Sequence, residues 1–78
     1  MQINKSEIQN NIILFLLRKN NLQVNISDIS DILGISYFAV KNEIIYSENF
    51  PRPIIDGNLP LAKKWLLYDI LVWVLNEK

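Results

Sequence analysis

The strongest constraint on this chain is a six-residue run near its middle, Asp31-Ile32-Leu33-Gly34-Ile35-Ser36. The apolar spacing before the run predicts a helix that ends at Leu33, and Gly34 can then adopt the left-handed backbone conformation without a Cβ clash. Ser36 is typical of a helix N-cap, because its hydroxyl can accept a hydrogen bond from a free backbone N–H of the next helix. A helix, a glycine turn and a second capped helix in so short a stretch predict a helix-turn-helix unit over residues 24–46.

The two helices of this unit can be bounded from their caps and apolar spacing. Residues 22–26 alternate apolar and polar and predict a short extended segment. The first helix follows over residues 28–33, with Asn25 or Ser27 as its cap. The second helix is expected from Ser36 to about residue 46. The expected core residues are Ile29, Ile32 and Leu33 from the first helix and Val40 and Ile44 from the second, with Ile35 and Ile45 beside them.

An amphipathic helix over residues 4–20 is expected before this unit. Asn4 and Glu7 have the spacing of a capping box. Arg18 and Lys19 stand in the last turn, where they complement the helix dipole, and phosphate contact is the alternative. Asparagines 20 and 21 end the helix. Its apolar stripe is Ile8, Ile12, Phe15 and Leu16, widened by Ile13 and Leu17.

A hairpin is expected after the helix-turn-helix, over residues 50–65. Pro51 and Pro53 exclude helix and favour an extended chain, and Asp56-Gly57 is a frequent hairpin turn sequence. The basic residues on this wing could neutralise DNA phosphates, or they could be ordinary solvated charges. They are Arg52, Lys63 and Lys64.

The last expected helix, residues 66–77, is apolar nearly all round. One face must pack on the helix-turn-helix, and the rest is expected to cover the apolar stripe of the first helix. A homodimer interface is an alternative role for this additional apolar surface, and a cofactor pocket lined by Trp65 and Trp73 is another.

The outward positions at the start of the second helix are the candidate DNA contacts. In a helix-turn-helix these positions reach base edges and phosphates in the major groove. Asparagine can pair with adenine, lysine can pair with guanine or phosphate, and aromatic rings can contact thymine methyl groups. For the two aromatic residues a place in the core is the alternative. The candidates are Tyr37, Phe38, Lys41 and Asn42.

Composition excludes several classes of function. With 78 residues the chain has room for one domain, residues 1–78, and half of its residues are hydrophobic, which is enough for a folded core. It contains no cysteine and no histidine, so neither a disulfide nor a zinc site nor imidazole catalysis is expected. The carboxylates show no metal-ligand or acid–base spacing, and no phosphate loop is present. We therefore expect no enzyme, no metal and no cofactor.

Charge and hydropathy bear on the partners. Eight basic residues balance eight acidic ones, which weighs against tight nucleic-acid binding by one subunit, although the middle of the chain is locally basic. The apolar runs 12–17 and 65–75 are too short to span a membrane, and no signal peptide is evident. A cytoplasmic protein without a membrane partner is expected.

Five motifs in this order resemble the AlpA-type prophage regulators and related excisionases, small proteins with a MerR-like winged helix-turn-helix. The resemblance covers residues 24–73. Its motifs are Leu33-Gly34-Ile35-Ser36, Phe50-Pro51-Arg52-Pro53-Ile54, Gly57 with Trp65, Asp69-Ile70, and Trp73.

The resemblance implies a mainly α fold with a small β-hairpin, a winged helix-turn-helix to which this chain adds an N-terminal helix. It implies a DNA-binding regulator of a prophage or mobile element, which controls transcription or site-specific excision and is nucleoid-associated when bound. The implied partners are double-stranded DNA, a second copy in a dimer or cooperative oligomer, and an integrase or another regulator. A protein–protein interaction module, an inhibitor or co-regulator on the same fold, is the alternative. By position, the implied DNA-binding residues are Ser36, Tyr37, Phe38, Lys41, Asn42, Arg52, Lys63 and Lys64.

Overall fold

The computed structural model describes residues 5–19, 22–58 and 62–76. Within these ranges the chain is a small, mainly helical domain with four helices and a three-stranded antiparallel sheet. The predominance of helix agrees with the sequence-based prediction. The elements in chain order are α1 (Lys5–Arg18), β1 (Gln23–Val24), α2 (Ile26–Leu33), α3 (Tyr37–Asn42), a 3₁₀ turn (Ile44–Tyr46), β2 (Ile55–Asp56), β3 (Lys63–Leu66) and α4 (Leu67–Asn76).

Helix α1 buries a narrower stripe than its sequence predicts. Ile8 and Phe15 are buried and Ile12 is partly buried, whereas the predicted flanking residues of the stripe are exposed, with Leu17 at 79%. At 3.6 residues per turn, Ile13 and Leu17 lie roughly 140° and 180° round the helix from Ile8, so one packing surface cannot cover them all. The predicted cap at Asn4 and the stop at residues 20 and 21 lie outside the described residues. The exposed residues of the predicted stripe are Ile13, Leu16 and Leu17.

Helix α2 begins two residues earlier than predicted, because Asn25 rather than Ser27 caps it. The Asn25 side chain accepts a hydrogen bond from the backbone N–H of Asp28 at 2.8 Å, and the backbone N–H of Asn25 donates to the Asp28 carboxylate at 3.2 Å. These reciprocal bonds form a capping box. At the other end Gly34 has φ 70° and ψ 31°, and its N–H donates to the carbonyl of Ser30. The predicted left-handed turn is confirmed.

Helix α3 begins as predicted but is shorter. The hydroxyl of Ser36 accepts a hydrogen bond from the backbone N–H of Ala39 at 3.1 Å, which confirms the N-cap. The helix ends at Asn42, and the chain breaks at Glu43 into a 3₁₀ turn rather than continuing to Tyr46. The β-branched pair at 44–45 has low helix propensity, and the tighter turn still buries Ile44.

Strand β3 is the centre of the sheet. It pairs antiparallel with β1, where Val24 faces Trp65, and with β2, where Ile55 faces Lys64. The β1 strand adds a third strand that the predicted two-stranded hairpin lacked. Leu66 pairs with Gln23 and therefore belongs to β3, so the predicted start of the last helix at residue 66 is wrong by one residue.

The predicted tight turn at Asp56-Gly57 is wrong. Asp56 pairs with Lys63, so the connection between the strands is six residues long, 57–62. Gly57 does not have a positive φ. Instead, a Cβ on Gly57 would lie only 2.3 Å from the Cβ of Ala62, so glycine is needed because the two backbones approach closely. Residues 59–61 of the predicted wing lie outside the described residues.

An aromatic cluster joins the loop before β2 to the core. The ring of Phe50 makes edge contacts with Trp65 at 6.0 Å and with Trp73 at 5.0 Å between centroids. The indole N–H of Trp65 donates to the carbonyl of Pro51 at 3.0 Å. The two tryptophans are thus packed in the core. The buried core consists of Ile8, Phe15, Val24, Ile26, Ile29, Ile32, Leu33, Val40, Ile44, Trp65, Leu67, Ile70, Trp73 and Val74.

Helix α4 covers only part of α1. Between the two helices runs a groove of about 380 Å³, whose apolar lining includes Ile8, Ile12, Leu71 and Val74. The apolar surface of α4 is therefore not fully buried within the subunit, whereas the sequence predicted that it would cover the apolar stripe of α1. None of the helices in the described part of the chain is long and apolar enough to cross a membrane.

Candidate nucleic-acid interface

Helix α3 presents its predicted residues at the surface to different degrees. Because the helix ends at Asn42, Lys41 and Asn42 lie at its C-terminal end and not near its start as predicted. Phe38 is 68% exposed and Asn42 is exposed, which excludes a core role for the phenylalanine. Tyr37 is half-buried, and its ring makes an edge contact with that of Phe38 at 6.1 Å. Lys41 is also half-buried. Ser36 is exposed, but its hydroxyl accepts the cap hydrogen bond.

A cleft separates the C-terminal half of α3 from the hairpin of β2 and β3. Lys41 and Asn42 line it from the helix, and Lys63 lines it from β3. Its volume is about 170 Å³, and about half of its lining residues are polar or charged. Two adjacent predicted site residues of α3 and a third on β3, more than twenty positions later in the chain, thus line the same cleft.

The basic residues predicted for the wing, Arg52, Lys63 and Lys64, do not share one face of the sheet. Successive residues of a strand point to opposite faces of the sheet, so Lys63 and Lys64 diverge. Lys63 faces the cleft and forms an ion pair with Asp56 on the neighbouring strand. Arg52 is exposed on the loop before β2. Among the described residues, no ion pair involves Lys41, Arg52 or Lys64.

Tyr46 is a candidate contact that the sequence analysis did not select. It is exposed on the 3₁₀ turn and lines both the cleft with Lys41 and an adjoining depression of about 140 Å³ beside Pro51 and Pro53. Because the pattern predicted a helix running through residue 46, the change of direction at Glu43 was not visible in the sequence. That change brings the tyrosine toward the hairpin.

The two basic residues at the end of α1 form ion pairs within the subunit. Arg18 pairs with Asp31 at 3.1 Å, and Lys19 pairs with the buried carboxylate of Asp28 at 2.6 Å. Both carboxylates belong to α2, so these residues attach α1 to α2. Arg18 stands in the last turn of α1, as the dipole role predicts.

The acidic residues do not gather. In the described part of the chain no group of three or more histidine, cysteine, aspartate or glutamate side chains could hold a metal ion. Comparison of the chain with known proteins returns no matching family model, no matching curated protein and no matching solved structure. The interface therefore has to be interpreted from the geometry of its own residues.

Proposed function

We propose that this protein is a DNA-binding regulator of the AlpA and excisionase type, acting through a winged helix-turn-helix. In this proposal α2 and α3 are the two helices, and the hairpin of β2 and β3 is the wing. The observation that carries it is the shared cleft of Lys41, Asn42 and Lys63, because a recognition helix and its wing must present polar groups to the same stretch of duplex.

The local geometry supports α3 as the helix that enters the major groove. It is held by the Gly34 turn and the Ser36 cap, so its first residues have a defined direction. Its outward side carries an exposed aromatic ring at Phe38 and an amide at Asn42, which suit a thymine methyl group and an adenine edge. The assignment to a prophage or mobile element rests on the sequence resemblance alone.

The charges support contact with a limited number of phosphates. Lys41, Arg52 and Lys64 have no ion pair among the described residues, while Lys63 shares its charge with Asp56. About three to five phosphates neutralised per subunit would make the affinity fall steeply with salt. Because the chain carries no net charge, one subunit should bind weakly, and neighbouring sites should be occupied cooperatively.

The test begins with a selection of bound duplexes from a random 30-base-pair DNA library, followed by fluorescence anisotropy on the enriched sequence. Asn42→Ala should weaken binding to that sequence by roughly 5- to 150-fold and relax the preference at one base pair, since it removes a bidentate contact. Asn10→Ala is the matched control, because Asn10 is an exposed helical asparagine on α1. Equal affinities of the two variants would contradict the assignment of α3.

The phosphate contacts have a separate signature. Lys41→Ala and Arg52→Ala should weaken binding to all sequences, and each should reduce the slope of log affinity against log salt by about one. Arg18→Ala is the control for Arg52, because Arg18 is an exposed arginine whose partner is Asp31. A salt slope that none of these substitutions changes would count against DNA as the ligand of this surface.

A protein–protein interaction module on the same fold is the second candidate. It is favoured by the 68% exposure of Phe38 and by the exposed apolar residues of α1 and α4, which a protein partner could cover. In neither proposal does the protein have a catalytic, metal-binding or cofactor-binding role. Failure to enrich any duplex from the random library would favour this candidate over the DNA-binding regulator.

A further inference from the structure

A depression of about 290 Å³ lies between helix α4 and the loop before β2. Its lining includes two residues of the loop, Asn49 and Pro51, and three residues of α4, Tyr68, Asp69 and the buried Trp73. None of the described residues that line this depression also lines the cleft beside α3. The depression is therefore a second surface feature, separate from that cleft.

The loop side of the depression is held in place by core contacts. The ring of Phe50 packs against both Trp65 and Trp73, and the indole N–H of Trp65 donates to the carbonyl of Pro51 at 3.0 Å. Asn49 has φ 68°, a left-handed conformation that asparagine adopts more readily than most residues. The depression is thus formed before any ligand binds, so little conformational entropy is lost on binding there.

The polar groups of the depression favour a cation. Asp69 is the charged residue of its lining, and the half-buried carboxylate of Asp69 has no hydrogen-bond or ion-pair partner among the described residues. The side-chain amide nitrogen of Asn76 donates to the carbonyl of Val72 at 3.0 Å, which leaves the amide oxygen as an acceptor. Asn49 supplies a second amide oxygen. The lining thus offers a negative charge and further acceptors, and it contains no basic residue.

The aromatic side of the depression distinguishes a guanidinium group from an ammonium group. Tyr68 is 72% exposed, and the face of an aromatic ring attracts cations. A guanidinium group is planar and weakly hydrated, stacks on aromatic rings and can donate two parallel hydrogen bonds to one carboxylate. An ammonium group is more strongly hydrated and has no flat face. Tyr68 and Asp69, adjacent in the chain, therefore match a guanidinium group best.

We propose that this depression binds an arginine side chain presented by a segment of another protein. Free arginine also carries a carboxylate, for which the lining has no basic residue, whereas an arginine within a chain lacks that charge. The volume is at the small end for ligand pockets, which suits a single side chain. Pro51 and Val72 provide apolar contacts for the residues beside the arginine. Such binding does not depend on DNA binding, since the depression and the cleft share no described lining residue.

A ¹H–¹⁵N NMR titration of the full chain with a short capped peptide that contains one arginine among alanines tests the site. The backbone signals of Tyr68 and Asp69 and the indole signal of Trp73 should shift and saturate, with a dissociation constant on the order of 1 mM. The same peptide with citrulline, which has the shape of arginine but no charge, should bind at least about tenfold more weakly. A lysine peptide should also bind more weakly than the arginine peptide.

Substitutions separate the carboxylate from the ring. Asp69→Asn should weaken binding at least about fivefold, because it removes the charge without changing the shape of the side chain. Tyr68→Ala should weaken binding roughly two- to fivefold, whereas Tyr68→Phe should retain it, since the ring face is kept. Glu43→Gln is the matched control, because Glu43 is an exposed carboxylate at the end of α3 with no ion pair among the described residues. Circular dichroism should show native helix content in all four variants.

Several results would overturn the assignment. Equal binding of the arginine and citrulline peptides would show that the charge is not recognised, and equal binding of the lysine peptide would exclude the guanidinium preference. A loss in Glu43→Gln as large as that in Asp69→Asn would indicate unspecific attraction to the protein. Free arginine that binds as tightly as the peptide would give the depression to a small molecule. Signals that shift on dilution of the protein alone would give it to a second copy.

Discussion

Gly34 and Gly57 are required at their turns for different physical reasons. Gly34 has φ 70°, a conformation in which the Cβ of another residue is strained by about 1–2 kcal/mol. An added Cβ there would meet mainly the flexible end of Glu7, at 3.0 Å, so the strain lies in the backbone. At Gly57 the backbone is ordinary, and the obstacle is Ala62.

Gly57→Ala should therefore destabilise the hairpin by overlap, and a second substitution should relieve it. The added methyl group would meet the Cβ of Ala62 at 2.3 Å, which forces the two chain segments apart. We expect a loss of about 1–3 kcal/mol in the free energy of unfolding, measured by urea denaturation.

Ala62→Gly is the compensating change, since it removes the opposing Cβ atom. The Gly57→Ala/Ala62→Gly double variant should be more stable than the sum of the two single effects predicts, which a double-mutant cycle measures. The remaining contacts with the carbonyl group of Ala62, at 3.2 and 3.3 Å, should keep the recovery incomplete. Strict additivity would contradict the overlap.

At the scale of elements, α1 is attached to α2 by polar contacts of unequal burial. The side-chain amide of Asn11 donates to the carbonyl of Ile32 at 3.0 Å. Of the two ion pairs, Arg18 with Asp31 is exposed on both sides, whereas the Asp28 carboxylate is only 6% exposed. Asp28 also accepts the capping bond from the backbone of Asn25. A buried carboxylate depends on its partners far more than an exposed one.

Lys19→Ala should consequently cost more stability than Arg18→Ala. Removal of Lys19 leaves the Asp28 charge buried with only its backbone hydrogen bond, at a cost of about 1–2 kcal/mol. Removal of Arg18 breaks an exposed pair worth less than about 1 kcal/mol. Urea denaturation of the two variants at pH 7 provides the comparison. Equal losses would mean that the burial of Asp28 does not govern its pairing.

At the scale of the whole molecule, the Phe50 cluster connects the hairpin to α4. Phe50 packs between Trp65 of β3 and Trp73 of α4, and the indole of Trp65 holds the carbonyl of Pro51. The loop that carries Arg52 is therefore attached to the core at two points, the ring of Phe50 and the carbonyl group of Pro51. This attachment sets the position of the hairpin relative to α3.

Phe50→Ala should lower the free energy of unfolding by about 2–3 kcal/mol, somewhat less than for a fully buried phenylalanine. Phe38→Ala is the matched control, because Phe38 is exposed and its loss should change stability by less than about 0.5 kcal/mol. Tryptophan fluorescence should shift in the first variant alone, since both tryptophans touch Phe50. Similar destabilisation by both substitutions would contradict the cluster.

The features read correctly from the sequence depend on residues close together in the chain. Asn25 was one of two named caps, and Ser36 and Gly34 act through neighbours three or four positions away. Val40 in α3 and Ile44 in the 3₁₀ turn are both buried, as predicted. The approximate places of the four helices follow from the same short spacings.

Two errors are local, the tight turn at Asp56-Gly57 and the length of α3, and the others concern contacts between residues that are distant in the chain. Periodicity could not show that α1 would expose Leu17, because that depends on how much of α1 its neighbours cover. Periodicity also could not show that Lys63 forms an ion pair with Asp56 on the neighbouring strand. Nor could it show that Lys64 points to the other face of the sheet. The tertiary structure alone brought Lys41, Asn42 and Lys63 to one cleft.

The sequence by itself determined the cap of α3 at Ser36 and the left-handed turn at Gly34, because caps and left-handed glycines act within a few residues. The tertiary structure decided which apolar faces are covered, which strands pair and which charges are matched. These depend on the relative positions of α1, α4 and the hairpin, and those positions result from packing across the whole chain.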